Sequence, residues 1–431
     1  MQAKVIETSC SYDCGGRCVL KVHVEEGTIR RIETDGGEEP QLRACLRGRA
    51  NRQRVYAPDR LLYPMKRVGE RGEGRFQRIS WDEALDTIAG KLLEIKDKYG
   101  PGACHFYGAS GNMASFHGYR RAFTRLFNMF GGFTGRWGIA SFEGLSFASR
   151  YTYGTMTAGN SREDLLNSCL IILWGINPAD ARFRTGTSYA LIGAREKGIR
   201  IVCVDPRFTE AAATLAHQWL PIRPGTDTAV LIAMAHVMIE EGLQDRHFLD
   251  TYTIGFERFR DYIMGREDGT PKTPSWAESI SDMPASAIAG LAREYATTKP
   301  AALLVAWSPG RTAFGEQFHR AAMALAAMTG NIGVPGGSAA GHDGLPWGTL
   351  SQTMPLGENP LGRRAAGPDG ELNRYSRVDG NGPTVHVAKT FEAVLEGRRA
   401  GYPHDTRLLY VIAGNPLNQL PNANKSLAAP K

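Results

Sequence analysis

Four of the seven cysteines in this 431-residue chain fall within its first 45 residues. They run Cys10-x3-Cys14-x3-Cys18 and then, after 26 residues, Cys45-Leu46-Arg47-Gly48. Four thiolates so placed suit zinc or an iron–sulfur cluster. Zinc knuckles usually set their cysteines two residues apart, so that a tight turn offers both sulfurs to one small ion. The three-residue gaps here make a wider loop, better matched to a cubane cluster. Zinc and a disulfide-linked module are the alternatives. Disulfide staples belong to small secreted folds that lack a core, and the rest of this chain is large. Cys104, Cys169 and Cys203 lie in apolar stretches and read as core residues.

A second set of candidate residues follows apolar runs that read as strands. Asn177 follows Leu170–Trp174, Asp205 follows Arg200–Val204, and Asp227 follows Trp219–Arg223. Acidic and amide side chains at strand ends can hydrogen-bond a ribose or a base edge. Capping of a following helix explains any one of them alone; three in succession favour nucleotide binding. There is no GxGxxG and no GxxxxGK[ST], so neither the usual dinucleotide fingerprint nor a P-loop is present. The ten histidines form no HExxH, and no GxSxG elbow occurs, which argues against zinc hydrolase and acyl-transfer chemistry.

The net charge of +7 is concentrated in one block that includes Arg43, Arg47, Arg49, Arg52, Arg54, Arg60, Lys66, Arg67, Arg71, Arg75 and Arg78. A solvated face accounts for most of it. For the arginines beside Cys45, an anionic cofactor is the more attractive partner, because a thiolate-ligated cluster is itself negative. No aromatic interleaving supports nucleic-acid binding. With 42% hydrophobic and 22% charged residues, a sizeable core is available, and no apolar run is long enough to cross a bilayer.

These residues need elements to position them. Residues 18–34 read as strands with a turn at Glu26-Gly27, giving a small β-rich module around the cysteines. Ser80-Trp-Asp-Glu83 is a capping box opening a helix with Trp81, Leu85, Ile88, Leu92 and Ile95 on one face. A strand at 105–107 enters the loop 108–112. Residues 165–240 alternate strands with helices, one at 187–196 and one from Asp227, the rhythm of a doubly wound parallel sheet whose ligands bind at strand carboxyl ends. Ala301–Trp307, a helix at 316–328 and a last strand at 408–413 repeat the theme. Residues 331–385 are rich in Gly and Pro with little periodicity.

Together these segments resemble the molybdopterin oxidoreductases, and within them the catalytic subunit of anaerobic dimethyl sulfoxide reductases. The likeness rests on the cysteine motif, Arg54-Val-Tyr-Ala-Pro-Asp-Arg-Leu61 and Tyr63-Pro-Met-Lys-Arg-Val68. It continues in order through Trp174-Gly-Ile-Asn-Pro178, Val204-Asp-Pro-Arg207, Ile222-Arg-Pro-Gly-Thr-Asp227, Thr329-Gly-Asn-Ile-Gly333 and Gly414-Asn415.

The resemblance implies an α/β fold: a β-rich [4Fe–4S] module, then doubly wound, Rossmann-like domains binding molybdopterin guanine dinucleotide. The implied limits are 1–65 for the cluster module, 66–155 with 335–431 for one cofactor domain, and 156–334 for the other. It implies a [4Fe–4S] cluster on Cys10, Cys14, Cys18 and Cys45. It further implies molybdenum (tungsten in some relatives) carried by two molybdopterin guanine dinucleotides. Arg47 matches the basic position between cluster and pterin. Trp174, Gly175, Asn177, Asp205, Arg207 and Asp227 fall where the dinucleotides are held, and Gly108, Trp307, Arg311, Gly414, Asn415 and Asn418 in loops lining the pterin cleft.

Ser141 takes the metal-ligand position, as an alkoxide in keeping with oxygen-atom transfer from an S-oxide or N-oxide. Its surroundings, Gly138-Ile-Ala-Ser-Phe, depart from the family's Tyr-Ser-Ser or Tyr-Ser-Thr, and a serine at a turn is commonly a cap. No cysteine is available there, which argues against formate dehydrogenase, one of the rivals alongside polysulfide, thiosulfate and selenate reductases. The implied partners are a ferredoxin-like iron–sulfur subunit and a membrane anchor subunit. A truncated iron–sulfur electron-transfer module without molybdenum chemistry is a further alternative, since the chain stops just past a ligand-type loop. As written, with no signal segment before Cys10, the expected location is cytoplasmic; with an upstream twin-arginine segment it is the periplasmic side of the membrane.

Overall fold

The computed structural model describes residues 4–10, 12, 18–34, 36, 43–108, 119–138, 141–155, 158–180, 186–341, 355–362 and 382–429. The chain divides into two compact units, Met1–Ala140 with Gly348–Lys431, and Ser141–Trp347.

The first unit opens with an antiparallel sheet, β1 (Lys4–Ser9), β2 (Val19–Glu25) and β3 (Thr28–Thr34), in that order. Its β2–β3 turn has φ of 51° at Glu26 and 77° at Gly27. Two left-handed central residues match the twist of a two-residue hairpin, and glycine makes the second inexpensive. Leu20, Val22 and Ile32 point inward and pack with Cys10 and Cys18. Two short helices follow, α1 (Leu46–Arg49) and α2 (Asn51–Val55), and then the hairpin β4 (Met65–Arg67) and β5 (Phe76–Arg78).

Helix α3 (Trp81–Tyr99) starts where the capping box requires, with the Glu83 N–H donating to Ser80 Oγ at 3.0 Å. Its apolar stripe is only partly used. Leu92 is buried, whereas Trp81, Leu85 and Ile88 are exposed. Among the described residues the first turns of α3 have the β4–β5 hairpin as neighbour, tied on by Lys66 and Glu83 at 3.1 Å. Strand β6 (Cys104–Gly108), helix α4 (Tyr119–Phe130) and strand β7 (Gly135–Trp137) complete this stretch, around a core of Phe106, Phe123, Phe127 and Phe133.

The second unit carries α5 (Glu143–Tyr153), β8 (Leu170–Trp174), α6 (Thr187–Glu196), β9 (Arg200–Val204), α7 (Glu210–Thr214), β10 (Gln218–Leu220) and α8 (Asp227–Glu240). It continues with α9 (Arg246–Tyr252), α10 (Phe256–Ile263), α11 (Pro274–Ser281), α12 (Ala285–Thr297), β11 (Ala301–Val305) and α13 (Glu316–Met328). The sheet is parallel, in the order β10-β9-β8-β11. Alternate strand residues feed two cores. Ile171, Leu173, Ile201 and Cys203 pack with α6 and α7, and Leu170, Ile172, Trp174, Val202 and Val204 with α8, α12 and α13. A sheet covered on both faces needs apolar residues on both, hence the unbroken apolar runs of β8 and β9. This is the doubly wound arrangement. The strand order reverses between β8 and β11, which opens a crevice at their carboxyl ends.

The chain then returns to the first unit. Strand β12 (Thr384–His386) pairs parallel with β7, and after α14 (Thr390–Glu396), β13 (Leu408–Ile412) pairs parallel with β6. Helices α15 (Pro416–Gln419) and α16 (Ala423–Ala428) follow. The division falls at 140/141 and 347/348, whereas the sequence placed it at 155/156 and 334/335; the difference lies partly in α5, which packs along α13. Of the three cysteines assigned to the core, Cys104 and Cys203 are buried, but Cys169 is exposed. It sits one residue before β8, where the chain enters the sheet from the surface. No helix among the described residues is long and apolar enough to cross a membrane.

Candidate cluster and cofactor site

The end of β1, the start of β2 and the head of α1 bring three of the four N-terminal cysteines to one end of the small sheet. Cys10 and Cys18 are buried, and the Cys10 N–H donates to the Cys18 carbonyl at 2.8 Å. Cys45 is half-buried and stands at the N-cap position of α1 without a side-chain capping bond. Cys14 lies outside the described residues. Helix α1 leans on this pocket through Gly48, where an added Cβ would lie 3.5 Å from Cys10 Sγ and 3.1 Å from the Ala44 methyl. The walls are apolar: Leu20, Val22, Ile32, Val24, Ile29 and Ala44. Among the described residues no three His, Cys, Asp or Glu side chains gather around an ion-sized point. Arg47 lies over the Tyr12 ring, its guanidinium carbon 4.7 Å from the centroid.

In the first unit, Gly108 pairs with Ile412, so the ends of β6 and β13 lie side by side. Gly108 has no room for a side chain, because a Cβ would meet the Phe106 ring at 2.3 Å. Past β13, Ala413 takes φ of 48°, a left-handed backbone that a non-glycine residue adopts at a cost of roughly 1–2 kcal/mol. Asn415 precedes α15, and its N–H donates to Gln419 Oε1 at 3.0 Å; the Tyr107 hydroxyl donates to the same oxygen at 3.2 Å. Gln419 thus ties the loop to β6 and presents Gly414, Asn415 and Asn418 at this edge, with Asn415 and Asn418 exposed.

In the second unit, the candidate residues sit at the carboxyl ends of β8, β9 and β11 and at the head of α8. Gly175 has φ of 66°, and its Cβ would approach Ala306 at 3.3 Å and Ser308 at 3.5 Å, which fixes the spacing at the switch point. Trp174 Nε1 donates to Asp227 Oδ1 at 2.8 Å. Burial raises the carboxyl of Asp227 above its ordinary pKa, and this hydrogen bond partly offsets the rise.

Asn177 is buried and saturated. Its amide nitrogen donates to Asp180 at 3.1 Å and Glu210 at 2.8 Å, and its oxygen accepts from the N–H groups of Ala179 and Ala211, both at 3.3 Å. An amide has two donors and two acceptor sites, so Asn177 staples the β8 and β9 loops to each other. Asp205 accepts from the Arg207 N–H at 2.9 Å through Oδ1, and the Arg207 guanidinium lies 3.5 Å from Asp180.

Ser141, Trp307 and Arg311 come together at this edge. Arg311 Nε donates to the Ser141 carbonyl at 2.8 Å. Phe142 packs on Trp307 with centroids 4.5 Å apart. Gly144 approaches so closely that a Cβ would lie 2.7 Å from the Gly310 carbonyl oxygen. Arg311 is exposed, and partial desolvation lowers the pKa of its guanidinium, which still stays a cation at neutral pH. The turn bearing Ser141 is therefore held by the loop after β11 through three unlike contacts. Phe142, Gly144, Gly310, Asp180 and Glu210 were absent from the sequence-derived site. Gly144, one residue inside a helix start, and the Pro309-Gly310 step were the available signals.

Comparison with known proteins agrees with this layout. A family model described as "Molybdopterin oxidoreductase Fe4S4 domain" matches residues 3–57, and one described as "Molybdopterin oxidoreductase" matches residues 60–431. The putative dimethyl sulfoxide reductase chain YnfE of Escherichia coli is 42% identical over 98% of this chain and 54% of its own length. The dimethyl sulfoxide reductase DmsA of the same organism is 41% identical over 83% of this chain and 47% of its own. The chain thus spans about half the length of these relatives. Acetylene hydratase from Pelobacter acetylenicus superposes with a TM-score of 0.69 over 98% of this chain and 59% of its own at 24% identity, a likeness of fold. A cysteine-lined module followed by a doubly wound sheet, matched from residue 3 to residue 431, places the chain in the molybdopterin oxidoreductase family, whose two domains here take a [4Fe–4S] cluster and molybdopterin-bound molybdenum.

Proposed function

We propose that this chain is the cluster- and pterin-binding part of a molybdenum reductase for S-oxides or N-oxides, dimethyl sulfoxide among them. Its electrons come from a ferredoxin-like iron–sulfur partner, with a membrane anchor subunit in the assembly. The residues suit the groups. Cys10 and Cys18 are buried in one apolar cluster, and Gly48 of α1 leaves Cys10 Sγ uncrowded. At the β8–β11 crevice a Cβ on Gly175 would press on Ala306 at 3.3 Å, and at the β6–β13 edge one on Gly108 would meet the Phe106 ring at 2.3 Å, so packing calls for glycine at both.

When bound, the cluster relays single electrons and the molybdenum centre supplies two-electron oxygen-atom transfer. The chain's own part is to hold and orient. Cys10, Cys14, Cys18 and Cys45 are the cluster ligands, and Arg47 sets a cation beside them. Asp205, Arg207 and Asp227 face the dinucleotide tails, with Trp174 orienting Asp227. Asn177 fixes the loops rather than spending a hydrogen bond on ligand. Gly108, Trp307, Gly414, Asn415 and Asn418 edge the pterin cleft, and Ser141 offers its hydroxyl oxygen to the metal from a turn that Arg311 holds.

The observation that carries the reading is this Ser141 turn. A hard oxygen donor in a turn whose Ser141 carbonyl accepts from Arg311 and whose Phe142 packs on Trp307 suits an oxide substrate better than a thiolate would. The test is elemental analysis of the anaerobically purified chain, followed by viologen-driven reduction of dimethyl sulfoxide and trimethylamine N-oxide. About four iron, four sulfide and one molybdenum per chain with oxide turnover are expected. Iron without molybdenum would reduce the reading to an electron-entry module, and zinc in place of iron would overturn it.

A further inference from the structure

Tyr12 stands midway between Cys10 and Cys14 in sequence, and its ring packs on the pocket of Cys10, Cys18 and Leu20. Two guanidinium groups converge on that ring. Arg47, from α1, lies 4.7 Å from the centroid, and Arg54, from α2, lies 5.2 Å from it. Like charges brought to one side chain repel, and the negative face of the ring compensates part of that repulsion. Arg52, between them in sequence, is anchored elsewhere, on the Arg30 carbonyl. So the ring gathers two of the arginines in this stretch, while Arg52 bonds elsewhere.

We propose that Tyr12 is a positioning residue: its ring holds Arg47 and Arg54 beside the iron–sulfur cluster and so raises the cluster's reduction potential. The proposal rests on reading Cys10, Cys14, Cys18 and Cys45 as cluster ligands. On reduction the cluster takes one electron and gains one negative charge. A fixed cation near it favours the reduced form, whereas an arginine free to swing away loses most of that effect beyond about 8–10 Å at ordinary ionic strength. Neither arginine has to touch the cluster for this. The ring needs only to keep both at the pocket's edge.

The test is a redox titration, followed by electron paramagnetic resonance, of the anaerobically purified full chain after iron and sulfide have been counted. Tyr12→Phe keeps the ring face and is expected to titrate with the wild type. Tyr12→Leu keeps apolar bulk without the face. At the wild-type midpoint its reduced-to-oxidised ratio is expected to fall about tenfold, a negative shift of about 59 mV for a one-electron couple. If Tyr12→Leu loses its cluster, Arg54→Gln is titrated instead, and a shift in the same direction is expected. Arg52→Gln serves as the charge control and is expected to shift less. A cluster-loaded Tyr12→Leu, or in its place Arg54→Gln, with the wild-type midpoint overturns the proposal while the ligand assignment stands. A Tyr12→Phe variant that shifts as far as Tyr12→Leu also overturns it. A wild-type chain without iron or sulfide overturns both.

Discussion

Replacing Gly144 by alanine tests the hold on Ser141 with a single methyl group. The new Cβ would lie 2.7 Å from the Gly310 carbonyl oxygen and 3.3 Å from the Glu316 nitrogen, both backbone atoms. Carbon–oxygen contacts settle near 3.3–3.6 Å, so the first turn of α5 has to retreat by roughly 0.6–0.9 Å. Gly310 has little room to yield: a Cβ there would meet His319 Nε2 at 2.3 Å, and one on Gly315 would meet the Gly310 backbone at 2.5 Å. Overpacking of this kind costs about 1–3 kcal/mol. The same retreat draws the Ser141 carbonyl away from Arg311, weakening a charge-assisted bond worth about 1.5–3 kcal/mol when intact. Alanine's better helix propensity returns up to about 1 kcal/mol.

The expected net loss is about 1–3 kcal/mol in urea, or about 2–4 °C in Tm per kcal/mol for a unit of this size. Faster hydrogen exchange at 141–146 and lower molybdenum retention after gel filtration should accompany it. A Gly144→Ala chain with wild-type midpoint and wild-type exchange would refute the claim that this close approach fixes the turn.

Three other expectations concern separate parts of the molecule. Ala413→Gly relieves a left-handed backbone at the end of β13 and should raise the unfolding free energy measured in urea by about 0.5–1 kcal/mol, after allowing for glycine's greater freedom when unfolded. Glu392 is held at a pKa of about 2, first by the Tyr402 hydroxyl and then by Lys389 and Lys425. Its stabilising effect is present above about pH 4.5 and is lost as pH falls toward 2, so Glu392→Gln should flatten that part of a stability-versus-pH curve. Asn177→Asp sets a third carboxyl between Asp180 and Glu210 in place of a donor amide. The expected loss is about 1–3 kcal/mol at pH 8 and less at pH 5, where the introduced carboxyl takes up a proton; equal losses at both would contradict it.

The parts of the fold legible in sequence are those governed by local chemistry. The limits of α6 and α13 follow from apolar spacing, and Ser80 with Glu83 announces α3. Glu26-Gly27 announces the hairpin, because a left-handed pair there needs a residue such as glycine. The positions of Asn177 and Asp205 past β8 and β9 were legible from the apolar runs before them, whereas Asp227 is the first residue of α8 and not a strand end. Partners distant in sequence were not. Tyr107 and Gln419 stand 312 residues apart, and nothing local to either names the other. The saturation of Asn177 depends on Glu210, which looks like an ordinary first-turn acid of α7. The exposure of Trp81 and Leu85 likewise turns on what lies opposite α3, which periodicity cannot supply.

The parallel pairing of β6 with β13 has a consequence for how the chain is made. Every residue of Ser141–Trp347 leaves the ribosome before β13 exists, so the inserted sheet has all its strands while the first unit still lacks β12 and β13. Until then the unpaired backbone of β6 is an open edge, the kind that invites pairing with the wrong chain. The end of β6 at Gly108 gains its neighbour only when Ile412 arrives beside it. Synthesis itself therefore imposes a sequence of events: the strands of the inserted sheet are available early, and β6 gains its β13 partner late.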